Sequence, residues 1–302
     1  MYRRKQLYPA QNKEAMSTQA LFLVISAALL HAVWNLIFKK TNGKLPFVWL
    51  VSLASAVIYL PFVVWQLTQS QLSLTGIMYG FALASAVIHL LYFIVLQVGY
   101  RKADLSVVYP MARGTGPLLS ATGAVLFFGE RPGWMGISGI VLIVTGVFIM
   151  TGLRLSLSDD ERLRSGIVYG TLTGLFIAAY TLWDKIAITD YNISALILTF
   201  ASMLLPLLVL LPKAVKEKQE IRREIRQHWK HVVAIAVLAP LSFILVLMAL
   251  KTAPVSYVAP ARELSIVFGV FLGTGLLKEA DAKRKIIAAI IMLMGISFLA
   301  MG

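Results

Sequence analysis

Ten apolar stretches alternate with short polar ones along this chain, and each is long enough to cross a hydrocarbon core. A spanning helix needs about 20 mainly apolar residues. The pattern predicts such helices at about 19–38, 47–66, 74–98, 104–128 and 134–152, and again at about 165–188, 193–212, 231–250, 254–277 and 284–301. Two connections are longer: a polar link from Arg154 to Arg164 and a basic stretch from Lys213 to Lys230. In the second, Glu217, Glu220 and Glu224 stand among Lys216, Lys218, Arg222, Arg223 and Arg226. Opposite charges at i,i+4 suit a short helix lying on a membrane surface, and a solvated loop that sets topology is the plainer reading. The fold class that follows is all-α integral membrane, with ten transmembrane helices.

The pattern also repeats, at a period of about 149 residues. Trp34-Asn35, late in the first segment, is matched by Trp183-Asp184 late in the sixth. Val108-Tyr-Pro110-Met-Ala-Arg113 is echoed by Val258-Ala-Pro260-Ala-Arg262, and Glu130 by Glu279. A late glycine, Gly146 or Gly295, marks the last helix of each half. Two five-segment repeats are expected, at 19–152 and 165–301. Five is odd, so the second half enters the membrane from the opposite side. Inverted halves of this kind define a carrier whose substrate site lies between them, near mid-depth.

Composition supports lipid as the solvent: 59% of residues are hydrophobic and 14% charged, against about 25% charged in a soluble domain. The net charge of +14 does not imply nucleic acid, because Lys and Arg lie in the short loops, where they set topology and meet anionic headgroups. Segment ends sharing a side with the amino terminus carry Arg3, Arg4, Lys5, Lys13, Arg131, Lys185 and Lys251, and about nineteen Lys and Arg lie on the other side. The positive-inside rule then puts both termini outside the cytoplasm. Met16 is an alternative start, and the bias is stronger from there. The expected location is the plasma membrane, the inner membrane in a bacterium.

With no Cys, disulfides and thiolate chemistry are excluded. The four His (His31, His89, His228, His231) lack metal-ligand spacing, there is no Walker-type loop, and no nucleophile–base set suggests an enzyme. No cofactor or metal is expected. The expected partners are a small-molecule substrate, the lipid bilayer, a proton and a second copy of the chain.

The chain resembles the drug/metabolite transporter superfamily, specifically its ten-helix proteins with two EamA domains. The residues that carry the likeness are Trp34-Asn35, Pro110, and Phe127-Phe-Gly-Glu130-Arg131 followed by the Gly-spaced run Gly136-Ile-Ser-Gly139 to Gly146. The second copy departs from this, with Lys278-Glu279 in place of Gly-Glu. The resemblance implies a secondary transporter, often an exporter of amino acids or other small metabolites. It leaves the orientation open, since the superfamily uses both.

Ionisable groups inside lipid-spanning segments cost several kcal/mol unless paired or wet. Arg113 and Arg262 occupy matching repeat positions and could hold a carboxylate or phosphate through their planar forks; the alternative is a structural ion pair with Glu263 or Asp184. Pro110, Gly114, Gly116 and Pro117 predict a broken or bent fourth helix, and Pro260 marks the matching place in the ninth. His31, Trp34 and Asn35 share one helix face, as do Tyr180, Trp183 and Asp184. These faces read as a cradle for an amine or as an interfacial belt. Asp184 either neutralises Lys185 or serves as a partner for a proton or a substrate amine. His89 either carries protons or is a neutral imidazole bonded to a neighbouring helix, and Glu263 is a further proton-coupling candidate. Tyr109 and Tyr257 flank the prolines and are candidates for the cavity wall. Glu130 and Glu279 read as loop anchors. Gly136, Gly139, Ala288 and Ala289 permit close helix packing or a dimer contact.

The reading that follows is an alternating-access secondary carrier, working as an exporter of a small polar metabolite such as an amino acid or organic anion. A multidrug exporter of lipophilic cations and a non-transporting receptor or assembly protein are the alternatives.

Overall fold

In a computed structural model, the structure describes residues 16–41, 45–69, 76–151, 161–277 and 282–301. The described residues form eleven helices: α1 (Thr18–Thr41), α2 (Leu45–Gln69), α3 (Gly76–Lys102), α4 (Leu105–Phe128), α5 (Trp134–Thr151), α6 (Glu161–Thr189), α7 (Ala195–Lys216), α8 (Lys218–Thr252), α9 (Val255–Ala261), α10 (Leu264–Leu277) and α11 (Ala282–Met301). Seven are long and apolar enough to cross a membrane alone: α1, α2, α3, α6, α7, α8 and α11. α4 has the length, but Arg113, Pro110 and Pro117 interrupt its apolar run. α5 is a shorter apolar helix, and α9 and α10 flank a break at Arg262-Glu263. The basic stretch beyond Lys216 is helical. It forms the start of α8 and changes direction at His228, whose backbone leaves helical geometry (φ −129°, ψ 15°). The Lys278-Glu279 pair, with its anchor reading for Glu279, and most of the Arg154–Arg164 link lie outside the described residues.

Much of the apolar surface faces outward. Phe22, Leu126, Phe127 and Trp134 are exposed, as expected where lipid tails rather than water cover the helices. The halves interleave: α4 packs along α6, α1 along α8, α2 along α7 and α8, and α3 along α6 and α7, while α5 packs on α11. Small residues set the close approaches. A Cβ at Gly174 would collide with Thr115 Oγ1 and stand 2.9 Å from the Gly116 nitrogen, so α4 and α6 touch backbone to backbone. A Cβ at Gly139 would stand 2.7 Å from the Gly295 carbonyl, and Ala288 and Ala289 are buried. These small-residue faces are therefore taken up by the α5–α11 contact inside one chain.

Hydrogen bonds between elements identify the two ends of the bundle. At one end Trp49, early in α2, donates to the Leu207 carbonyl late in α7, and Lys102 at the end of α3 donates to the Tyr169 hydroxyl early in α6. This end carries Lys39, Lys40, Arg101, Arg162, Arg164 and the charged start of α8; we call it the basic end. At the opposite end Glu130, after α4, meets the start of α9, and Lys185, late in α6, meets the end of α8.

Candidate substrate site

Of the two sequence alternatives for the fourth helix, broken or bent, the structure shows no break. α4 runs unbroken from Leu105 to Phe128 across both prolines, and the break falls in the second half. Pro110 is the sixth residue of α4, just past the first turn, and donates no bond to the turn before it. A Cβ at Gly114 would stand 2.6 Å from the Phe148 ring and one at Gly116 3.0 Å from Ile177, so neighbouring side chains pack closely on α4 at both glycines. In the second half Glu263 N bonds to the Pro260 carbonyl, Ser265 N to Arg262 and Ile266 N to Glu263, each three residues back. The helix tightens into 3₁₀-type turns there, a geometry that often marks functional hinges.

The break presents Arg262 and Glu263 to the interior opposite Arg113. Arg113 Nη1 donates to Glu263 Oε1 at 3.3 Å and stands 3.3 Å from Oε2. Arg113 Nη2 is 3.0 Å from His31 Nε2. A guanidinium has only donors, so Nε2 accepts, and His31 bears no proton on that nitrogen. The Arg113 fork also sits 5.6 Å from the Tyr109 ring centroid. Arg262 Nε lies 4.0 Å from Glu263 Oε1, and its guanidinium lies 5.9 Å from the Tyr180 ring. Its terminal nitrogens form no hydrogen bond among the described residues. Glu263 is 1% exposed. One carboxylate thus stands between two arginines drawn from different halves.

These arginines lie at the floor of a cavity of about 520 Å³. Its walls come from the later parts of α1 and α3, the earlier parts of α2 and α4 and the middle stretches of α6 and α8, so it reaches from mid-bundle toward the basic end. Exposure rises from Arg262 at the floor to Asn35, which is exposed, near the mouth. The rest of the wall mixes aromatic side chains, such as Trp34, Tyr92, Tyr100 and Phe243, with aliphatic ones such as Val48, Leu96 and Ile235 and polar ones such as Ser52 and Gln97.

The sequence-predicted residues divide between this cavity and the layer beyond it. His31, Trp34, Asn35, Tyr109, Arg113, Tyr180 and Arg262 line it; Trp183, Asp184, Tyr257, His89 and Glu263 are absent from its wall. Trp183 stacks on Phe81 and donates to that residue's carbonyl. Tyr257 is buried against Gly136. His89 Nδ1 bonds to the Ser85 carbonyl at 2.9 Å, one turn back in its own helix rather than on a neighbouring one, and its ring stacks on Tyr180. Asp184 is 0% exposed, and both its oxygens lack a hydrogen bond; the Ser85 hydroxyl stands beside it without closing one. The expected Asp184–Lys185 neutralisation does not form. Consecutive helical residues point about 100° apart, and Lys185 Nζ instead donates to the Leu250 and Ala253 carbonyls at the end of α8.

Tyr92, Phe93, Gln97, Tyr100 and Phe243 were missed as wall residues. Tyr92, Leu96, Gln97 and Tyr100 recur at helical spacing in α3, a signal the sequence did contain; without knowing which face of α3 turned inward, it could not be assigned.

The opposite end is shut. Val255 to Ala261 are all buried in α9. Glu130 accepts from Val255 N at 2.8 Å and Ser256 N at 2.9 Å, one carboxylate oxygen on each. This explains the Gly-Glu pair. Gly129 takes a left-handed conformation (φ 69°) that ends α4, and the chain turns so that Glu130 reaches the free amides opening α9. Ser194 donates to Gln66 between the halves as well.

An all-helical bundle of membrane-length helices, with paired cations between two halves at the floor of a one-sided cavity, defines a multi-pass membrane transporter. The chain belongs to the EamA-like transporter family, whose profile matches it twice, over residues 18–152 and 164–301; it is thus a transporter of the drug/metabolite superfamily. No curated protein matches it. Twenty-nine solved chains do, among them one described only as "Crystal structure of protein", aligned over 93% of this chain and 96% of that one, with TM-score 0.70 and 14% identity. At that identity the likeness supports the fold alone.

Proposed function

We propose that this protein is a secondary carrier, working as an exporter, for a small polar metabolite such as an amino acid or organic anion. Arg113 and Arg262 receive its anionic group, and the halves rock about them to expose the site to each side in turn. The observation that carries this reading is the meeting of two arginines from different halves at the floor of one cavity. Two guanidiniums, with no acidic residue among the described wall residues, disfavour a lipophilic cation. With the basic end in the cytoplasm, both termini lie outside and the cavity faces inward, ready to load an exported solute. Asp184, sealed just beyond the cavity floor, is the site for a coupling proton. Glu263, tied to Arg113, is the resident counter-ion.

Counterflow in proteoliposomes tests the carrier reading. Vesicles preloaded with one solute of a metabolite panel should accumulate its labelled form, and Arg113→Ala and Arg262→Ala should both abolish this while remaining in the membrane. Normal counterflow in both variants would remove the arginines from the site. Absence of counterflow across the whole panel would favour a receptor or assembly role.

A further inference from the structure

The charges around the cavity floor can be counted. Arg113 and Arg262 contribute two positive charges, and Glu263, between them, contributes one negative. His31 accepts from Arg113 through Nε2, so it bears no proton there and adds no charge as the neutral imidazole. The floor therefore carries one net positive charge, with the terminal nitrogens of Arg262 still free to donate. Among the described residues, no Asp or Glu lines the cavity. Asp184, the remaining intramembrane carboxyl candidate, is sealed away from it.

That balance favours one kind of ligand. A single carboxylate seated on the fork of Arg262 neutralises the floor. A zwitterion would place its ammonium within a few ångströms of two guanidiniums, where like charges repel. No carboxylate among the described wall residues compensates it; the polar side chains there, such as Asn35 and Gln97, are neutral. A dianion would leave an excess negative charge in a low-dielectric cavity. The wall above the floor includes Trp34, Tyr92, Tyr100, Tyr109 and Phe243, which offer ring edges and faces among aliphatic and small polar side chains. A cavity of about 520 Å³ falls in the range that encloses a small organic molecule.

We infer that the cavity is selective for aromatic monocarboxylates over the matching amino acids. This rests on the carrier reading for its biological sense but not for its test. Binding to the purified protein in detergent is measured by thermal stabilisation and by Trp fluorescence, using 3-phenylpropanoate, phenylalanine, phenylsuccinate and phenethylamine. These probes share an aromatic skeleton and differ in charge. The expected result is binding of 3-phenylpropanoate at least about tenfold tighter than phenylalanine or phenethylamine. Glu263→Gln, which adds one net positive charge, should shift preference toward phenylsuccinate. Phenylalanine binding equal to or tighter than 3-phenylpropanoate overturns the inference, and so does failure of every aromatic acid to bind. The wild-type comparison stands even if the variant fails to fold. Counterflow of 3-phenylpropanoate separates the two readings. Binding without counterflow removes the carrier function and keeps the charge selectivity. Counterflow of a non-aromatic solute without aromatic-acid binding does the reverse.

Discussion

Residues at equivalent places in the two halves occupy opposite surroundings. His31 and Tyr180 correspond, and each touches its own half's arginine: His31 through a ring nitrogen on Arg113, Tyr180 through its face beneath Arg262. Trp34 and Asn35 line the cavity, whereas Trp183 is tied to Phe81 and Asp184 is sealed. After the arginine the first half has Gly114 and the second has Glu263. The proline also stands three residues before Arg113 but two before Arg262. The lesson is that a duplicated motif need not make duplicate sites. Divergence at one position supplied the carboxylate that crosses to the other half's arginine. A bundle open at one end necessarily places matching residues unequally, and under alternating access the reverse-facing state exchanges those places.

The largest expected effect tests the crossing ion pair. Arg113→Ala leaves Glu263 buried without its partner and should cost about 3–5 kcal/mol of stability. Arg262→Ala, which loses only a 4.0 Å approach and a cation–π contact, should cost about 1 kcal/mol. Thermal unfolding in detergent compares them, and adding Glu263→Gln to Arg113→Ala should recover a substantial part of the loss. Equal costs for the two arginines would erase the asymmetry.

Glu130→Ala should cost about 1–3 kcal/mol by uncapping α9, and the same assay reads it. A neutral result would mean that the seal at that end does not depend on the carboxylate.

Accessibility tests the contrast between Trp34-Asn35 and Trp183-Asp184. The chain contains no Cys, so any introduced thiol is the only one. Asn35→Cys should react with a water-soluble maleimide, and Trp183→Cys should resist it; comparable labelling of both would break the comparison. The smallest effect on stability is expected from Asp184→Asn, within about 1 kcal/mol of wild type, because no hydrogen bond or ion pair is lost. Uptake driven by an imposed proton gradient should disappear in that variant while counterflow persists. Retained proton drive would take Asp184 out of the coupling role.

Much of the fold was legible because lipid imposes a simple rule. Every backbone group must be satisfied within a segment, so length and apolarity report helices directly. The helical bundle and the 149-residue echo were visible in that way. The anchor role of Glu130 was also legible, since a carboxylate after a helix-ending glycine has few other uses, although its partner was not. The kink at His228 and the break at Arg262-Glu263 were harder. Proline flags weakness in both halves, yet α4 is one helix, with Phe148 and Ile177 packed against Gly114 and Gly116.

By itself, then, the sequence determined an all-helical membrane chain, its duplication, and the intramembrane charges Arg113, Arg262, Glu263 and Asp184, because burying such groups in hydrocarbon is too costly to be incidental. Tertiary structure decided how those charges are used. The pairing of Arg113 with Glu263 across about 150 residues, the diversion of Lys185 to the end of α8, and the choice of Trp34 over Trp183 for the cavity depend on how the halves interleave. Local periodicity fixes which face a residue occupies on its helix, but not which neighbour that face meets.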